Sequence, residues 1–211
     1  MATVTHVLGP TLMPGWLMPR FYRAVTQRLA PSGPVEYHAM PERGGLGRTD
    51  LVVDRFRPIL EAAAARREKV RLVGHSLGGL VAWVLAHDHP YAVAEAELWC
   101  TPVRGTALAN VVVPVAESRF LARASRWIRR YDRPVDGVRV RAVYTVLDQL
   151  AVPSRTTCYI EGEDVENHVV APYRLHRHDR RPTETAHRGA AEHVTLPRLR
   201  SVNAALQRAG I

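Results

Sequence analysis

The sequence predicts a single α/β domain, a three-layer α/β/α sandwich around a mainly parallel sheet of about six strands. Short apolar runs alternate with longer segments of helical period, which is typical of a parallel sheet covered by helices. The 211 residues fit one compact domain. Because neither an internal repeat nor a linker divides the chain, we assign residues 1–211 to that one domain.

Six short runs of apolar or alternating residues carry the strand signal. The third run is nearly all apolar, at Val70, Leu72 and Val73, and the fifth alternates apolar residues with arginines. The predicted strands are Thr3–Leu8, Val35–Met40, Lys69–Gly74, Val93–Cys100, Val138–Leu147 and Asn167–Ala171.

Helical periodicity fills the segments between these strands. The predicted helices are Arg20–Leu29, a helix capped by Asp50, Gly78–His87 and a last helix that begins at Pro197. Pro58 lies inside the second of them and predicts a kink.

Two further segments lack a regular pattern. Residues 105–137 predict a cap-like insertion, and the polar stretch Tyr173–Ala190 predicts a long loop.

The charge, the apolar runs and the cysteine content indicate which partners and which compartment to expect. Basic residues outnumber acidic ones by 29 to 20, but the arginines form no recognisable nucleic-acid-binding motif, so we expect no nucleic-acid partner. No apolar run approaches the roughly 18 residues of a membrane span, and no signal peptide is visible. Cys100 and Cys158 are too few for a disulfide framework and predict buried free thiols. These features predict a cytoplasmic protein without an integral membrane span.

One short motif carries chemistry. Residues 74–79 read Gly-His-Ser-Leu-Gly-Gly, which fits G-x-S-x-G between a predicted strand and a predicted helix. The small residues permit a tight turn that raises the Ser76 hydroxyl above the sheet. The following helix N-terminus places a positive dipole where negative charge develops. Ser76 is therefore the predicted nucleophile.

Three segments resemble small bacterial lipases and esterases of the α/β-hydrolase superfamily. Residues 74–79 have the lipase form of the nucleophile elbow. Residues 98–106 are similar to the TP-h-x-GT segment that ends the next strand in those enzymes, with Val103 where they usually carry His. Residues 144–153 resemble their strand end Y-(S/T)-x-x-D-x-x-V-P, whose Asp is the triad acid. The resemblance covers nearly all of the chain and implies a minimal α/β-hydrolase fold, without the first two strands of the full fold.

The resemblance also implies the triad order Ser, acid, His. Asp148 matches the acid and follows a predicted strand, at the sheet edge where α/β folds bind their ligands. His193 precedes the terminal amphipathic helix, as the family's catalytic His does, and is the predicted base. His176 and His178 remain alternatives, whereas His75 is expected to pack or hydrogen-bond inside the elbow.

An oxyanion hole needs two backbone N–H groups directed at the developing negative charge. Leu77, immediately after the nucleophile, is expected to supply one. The family usually carries His-Gly in the loop after the first strand, but this chain carries Gly9-Pro10. Because proline has no N–H, Thr11 is the predicted second donor, with Leu12 as the alternative.

Two His-x-His pairs, His87/His89 and His176/His178, raise the question of metal binding. Neither has a cysteine partner or an HExxH helix. We therefore expect no metal site and no cofactor.

The cap contains a basic amphipathic stretch, Arg119–Arg130, with Trp127 on its apolar face. It fits a cap helix packed on the core. It also fits a lid that faces an acyl chain or makes peripheral contact with an anionic lipid surface.

Together the residues predict a serine hydrolase that cleaves small-molecule carboxylic esters with a hydrophobic acyl group. The triad would be Ser76, Asp148 and His193, with Leu77 and Thr11 forming the oxyanion hole. Two alternatives stay open. A thioesterase or acyltransferase would use the same triad, whereas a binding protein would have the hydrolase fold without catalytic activity.

Overall fold

The computed structural model describes residues 3–41, 49–107, 125–151, 153–175, 180–189, 192, 195–198 and 200–208. Its centre is a parallel sheet of seven strands in the order β2-β1-β3-β4-β5-β6-β7. The strands are β1 Thr5–Leu8, β2 Val35–His38, β3 Val70–His75, β4 Val93–Trp99, β5 Arg139–Thr145, β6 Val165–Ala171 and β7 Glu184–Arg188.

Helices cover both faces of this sheet. The α-helices are α1 Met18–Phe21, α2 Arg23–Leu29, α3 Thr49–Ala65, α4 Leu77–Asp88, α5 Arg126–Arg130, α6 Ser154–Thr157 and α7 Arg200–Arg208. Short 3₁₀ helices lie at Gly15–Leu17, Ala30–Ser32 and Leu196–Arg198. Among these described helices, none combines the length and apolar character needed to cross a bilayer.

Two apolar clusters confirm the predicted three layers. One face of the sheet packs against α3 and α4, with side chains such as Phe56 and Leu80 in its cluster. The other face packs against α1, α2 and α7, through residues such as Phe21, Val25 and Leu206. Helix α4 lies deepest, because every side chain from Leu77 to Ala86 is buried.

The sequence interpretation is wrong in one element. Residues 184–188, assigned to a polar loop, form the seventh strand at the sheet edge. Glu184 is buried there and accepts hydrogen bonds from Tyr144 Oη and Arg155 Nη2, both at 2.6 Å. A strand that carries a buried carboxylate and has one open edge shows no apolar run, so composition alone predicts a loop.

Two smaller predictions concerned a kink at Pro58 and the cap-like insertion. Helix α3 continues through Pro58 to Ala65, and Asp50 lies in its first turn. Most of the predicted cap, residues 108–124, lies outside the described residues, and the described remainder holds the short helix α5.

Charged side chains bridge the central strands beneath α2. Glu97 on β4 is fully buried and pairs with Arg28 of α2 and Arg141 of β5. Trp99 Nε1 donates to the same carboxylate at 2.7 Å. Burial acts to raise the pKa of Glu97, but the two guanidinium groups and the indole N–H outweigh it and lower the pKa from 4.5 to about 2.

We predict that Glu97→Gln lowers the free energy of unfolding near pH 7 by about 3–5 kcal/mol, because it removes the carboxylate that pairs with the buried Arg28 and leaves Arg141 with only Glu95 and Glu166. Urea denaturation measures this change. Since the folded-state pKa lies below the unfolded value, the stabilisation is complete above about pH 4.5 and is lost as the pH falls towards 2.

The exposed pair Arg66–Glu68 provides a matched control. Glu68→Gln should change the free energy of unfolding by less than about 0.5 kcal/mol. Equal effects of the two substitutions would show that the buried pairs contribute nothing beyond a surface ion pair.

Candidate active site

Ser76 occupies the sharp turn between β3 and α4. Its backbone has φ 56° and ψ −119°, a strained conformation for a residue with a Cβ atom. Hydrogen bonds on both sides hold the turn: Ser76 N–H donates to Trp99 O at 2.9 Å, and Ser76 O accepts from Leu80 N–H at 3.1 Å. The side chain is partly exposed and, among the described residues, makes no capping hydrogen bond to α4. The turn therefore presents the hydroxyl at the carboxyl edge of the sheet.

Glycines surround this turn because the backbone approaches itself there. A Cβ atom on Gly74 would lie 2.5 Å from Gly79 N, and one on Gly78 would lie 2.6 Å from the carbonyl carbon of Leu8. These neighbours are backbone atoms, which cannot move aside as a flexible side chain can. The two outer glycines of the motif are thus required by contacts as well as by the turn itself.

The third glycine brings the next strand end against the turn. A Cβ atom on Gly79 would lie 2.8 Å from Thr101 Cβ. Thr101 is buried and donates through Oγ1 to Trp99 O at 3.3 Å. The Thr-Pro segment noted in the sequence therefore packs directly on the elbow.

Asp148 lies three residues beyond the end of β5 and is 7% exposed. Its Oδ1 accepts hydrogen bonds from Leu150 N–H at 2.9 Å and from Ala151 N–H at 2.7 Å. Leu150 O in turn accepts from the Thr106 hydroxyl at 2.6 Å. The carboxylate is thus fixed by its own turn and by the segment after β4.

Cys100 connects Asp148 to the turn at Ser76, a contact that sequence reasoning missed. It directly follows Trp99, whose carbonyl accepts from Ser76, and it hydrogen-bonds to Asp148. Burial first, and then Asp148 and Cys158, raise the pKa of the Cys100 thiol well above its ordinary value, so the thiol stays protonated and donates. Both cysteines are free and buried, as predicted. Ser76 and Asp148 are therefore joined to consecutive residues at the same edge of the sheet.

The chain after β1 lies against the elbow. The contact of Gly78 with Leu8 and Gly9 places the start of this loop beside the first turn of α4. Thr11 follows in a tight turn, in which Met13 N–H donates to Pro10 O at 3.5 Å. Leu77 is the first residue of α4, where N–H groups have no acceptor within the helix. Leu77 directly follows Ser76, and Thr11 lies two residues beyond Gly9, which contacts Gly78.

The predicted base and its alternatives, His193, His176 and His178, lie outside the described residues. His75 behaves as predicted: it is buried, and its Nδ1 lies 2.9 Å from the Tyr22 hydroxyl. Its position inside the fold makes it part of the scaffold beneath the nucleophile.

The two histidines of the predicted pair His87/His89 contact different side chains. His87 packs against the ring of Trp83, while His89 lies 3.1 Å from Arg57 Nη1. Within the described part of the chain, His87 and His89 belong to no group of three potential metal ligands. A different cluster, formed by His6, Glu36 and His38, lies on β1 and β2.

The described part of the cap packs away from Ser76. Ile128 is buried, and the Trp127 ring lies 5.4 Å from that of Tyr131. Trp127 borders a cavity together with Val84 and Asp88 of α4. Val84 lies eight residues beyond Ser76, about 12 Å along the helix. The described residues 126–130 of the basic stretch therefore pack beside α4.

No sequence model of a protein family matches the chain, and no curated protein matches its sequence. Solved structures do match its fold. Lipase B of Aspergillus fumigatus aligns with a TM-score of 0.66 at 15% identity, over 79% of this chain and 44% of its own. The chain thus spans less than half of that lipase.

Two other structures cover nearly the whole chain. Est1E of Butyrivibrio proteoclasticus aligns with a TM-score of 0.66 at 11% identity, over 99% of this chain and 87% of its own. The thioesterase domain from the curacin biosynthetic pathway aligns with a TM-score of 0.56 at 13% identity, over 99% and 90%. At these identities the likeness concerns the fold, and the chain has the fold of the α/β hydrolases.

Proposed function

We propose that the chain is a serine hydrolase that cleaves carboxylic esters through an acyl-enzyme. The observation that carries this proposal is the strained turn at Ser76, joined through Trp99 and Cys100 to the buried carboxylate of Asp148. Strain of this kind persists where the surrounding structure enforces it, and such sites are commonly functional. The hydrolase fold places a nucleophilic serine at this same kind of turn.

In the proposed reaction, Ser76 Oγ attacks the ester carbonyl while His193 accepts its proton. Asp148 orients the imidazole and stabilises its charged form, and the N–H groups of Leu77 and Thr11 hold the oxyanion. His193 then protonates the departing alcohol. Water, deprotonated by the same imidazole, releases the acid and restores Ser76. The reaction requires no metal or organic cofactor.

His193 is the preferred base because of the described residues that follow it. Leu196 is fully buried in the cluster that contains Val73 of β3 and Trp99 of β4, next to the elbow. His193 lies only three residues before Leu196 in the chain, and three residues of chain span at most about 10 Å. His176 and His178 instead follow β6, which lies three strands from β3 in the sheet.

Exposed apolar side chains favour a hydrophobic acyl group. Several large apolar residues follow the carboxyl ends of strands and are at least one third exposed, at Leu12, Trp16, Leu147, Leu150 and Tyr173. These positions lie at the carboxyl edge of the parallel sheet, where α/β folds bind their ligands. The proposed substrate is therefore a small ester with an alkyl acyl chain.

A thioester is the second candidate substrate. One structure with the same fold is named as a thioesterase domain, and the acyl-enzyme chemistry is common to both substrates. The ester and the thioester differ only in the leaving group. Competition between an octanoyl ester and an octanoyl thioester therefore shows which substrate has the higher kcat/KM.

We predict that the purified chain hydrolyses 4-nitrophenyl octanoate with a higher kcat/KM than 4-nitrophenyl acetate, and that Ser76→Ala lowers kcat by at least about 1,000-fold on both. Release of 4-nitrophenol measures turnover. Ser201→Ala, on an exposed helix position, is the matched control and should retain full activity. Residual turnover in Ser76→Ala comparable to that of the wild type would refute the assignment of the nucleophile.

We also predict that His193→Ala lowers kcat on the octanoate ester by several orders of magnitude, because the serine loses its base. His176→Ala and His178→Ala should change kcat less than about threefold. Each variant is compared at equal concentration of folded protein, checked by circular dichroism. If His176→Ala or His178→Ala instead abolishes turnover while His193→Ala does not, the base lies in the segment after β6.

A further inference from the structure

Three side chains of the first two strands converge at the edge of the sheet. In the parallel pairing of β1 with β2, His6 lies beside Glu36, and Leu8 lies beside His38. Residues side by side in register, or two apart along a strand, project from the same face. His6, Glu36 and His38 therefore share the face covered by α3, although 30 residues separate the first from the second.

The three potential ligand atoms form a compact triangle. His6 Nδ1 lies 3.0 Å from His38 Nε2 and 3.4 Å from Glu36 Oε2, and Glu36 Oε2 lies 3.9 Å from His38 Nε2. A triangle with these sides has a point about 2.0 Å from all three corners, which equals the Zn–N and Zn–O distances of protein sites. The two histidines and the carboxylate are thus already at coordination spacing.

A second histidine pair shows that this convergence is not a general result of pairing histidines on strands. His168 Nδ1 on β6 also lies 3.0 Å from His187 Nε2 on β7. Its acidic neighbour, Glu166, lies instead 3.6 Å from the opposite ring nitrogen, His168 Nε2. Those three groups do not converge on one point.

The surroundings of the triangle suit an exchangeable ion. The side chain of His6 is 7% exposed and that of His38 22%, while that of Glu36 is 57% exposed. The His38 ring is further held by an edge-on contact with Phe56 of α3, at 5.8 Å. Two fixed imidazoles and one open carboxylate leave a side of the site accessible to water. Burial lowers the pKa of both rings, so both are neutral near pH 7.

We propose that His6 Nδ1, His38 Nε2 and the Glu36 carboxylate bind one divalent transition-metal ion of the zinc class, with water as the fourth ligand. Two imidazoles and one carboxylate with an open position are an established ligand set for Zn²⁺. The ion would join the edge strand β2 to β1. It would also steady the loop proposed to hold the oxyanion, because His38 O accepts the hydrogen bond of Gly9 N–H at 3.0 Å. The site stands independently of Ser76 chemistry.

The test is a Zn²⁺ titration of the full chain, without a histidine tag and after treatment with a chelator, in competition with a chromogenic chelator. We expect one tight Zn²⁺ per chain. His38→Ala should weaken it at least about 100-fold, since even residues behind a ligand change metal affinity by 10- to 100-fold. Glu36→Gln, at an exposed position that should not disturb folding, should also weaken binding, and His187→Ala is the matched control that should leave it unchanged.

Thermal unfolding provides a second measurement of Zn²⁺ binding. Saturating Zn²⁺ should raise the Tm of the wild type and of His187→Ala but not that of His38→Ala. The proposal is overturned if the wild type binds no tight Zn²⁺. It is equally overturned if Glu36→Gln and His38→Ala both keep wild-type affinity, which would assign the ion to other histidines.

Discussion

The close approach of backbone to backbone around Ser76 is the constraint on which the candidate site depends. Gly74 lies against Gly79, Gly78 against the end of β1, and Gly79 against Thr101, and a side chain at any of these three positions would force the segments apart. With them in contact, Ser76 is held at φ 56° between two backbone hydrogen bonds. The nucleophile turn, the loop after β1 and the strand end after β4 therefore form one packed unit.

Buried ion pairs hold β4 against β5 and against α2. Glu97 joins β4 to β5 through Arg141 and to α2 through Arg28, while Trp99, two residues further along β4, donates to the same carboxylate. The carbonyl of Trp99 accepts from Ser76, and the next residue, Cys100, contacts Asp148. The position of Asp148 relative to Ser76 is thus set by the end of β4, which the buried ion pairs align with its neighbours. Fixed geometry of this kind is what acyl transfer requires, because misplacement of a catalytic group by an ångström is costly.

Local signals allowed much of the fold to be predicted from the sequence. Apolar or alternating runs identified β3, β4 and β5, and the glycines around Ser76 identified the turn between β3 and α4. Strand β7 was missed because its inward side chain is Glu184, whose partners Tyr144 and Arg155 are distant in sequence. The cluster of His6, Glu36 and His38 was missed for a related reason: its members converge only through the pairing of β1 with β2. Contacts that depend on register between distant segments leave no periodic signal in the chain.

Covalent labelling of the native chain with a fluorophosphonate probe tests whether Ser76 is an activated nucleophile. Such a probe reacts with a serine whose hydroxyl is activated by an adjacent base and whose oxyanion is stabilised. We expect one adduct per chain, located by mass spectrometry on the peptide that contains Ser76, retained in Ser201→Ala and abolished in Ser76→Ala. Absence of labelling in the folded wild type, or an adduct on another residue that persists in Ser76→Ala, would contradict it.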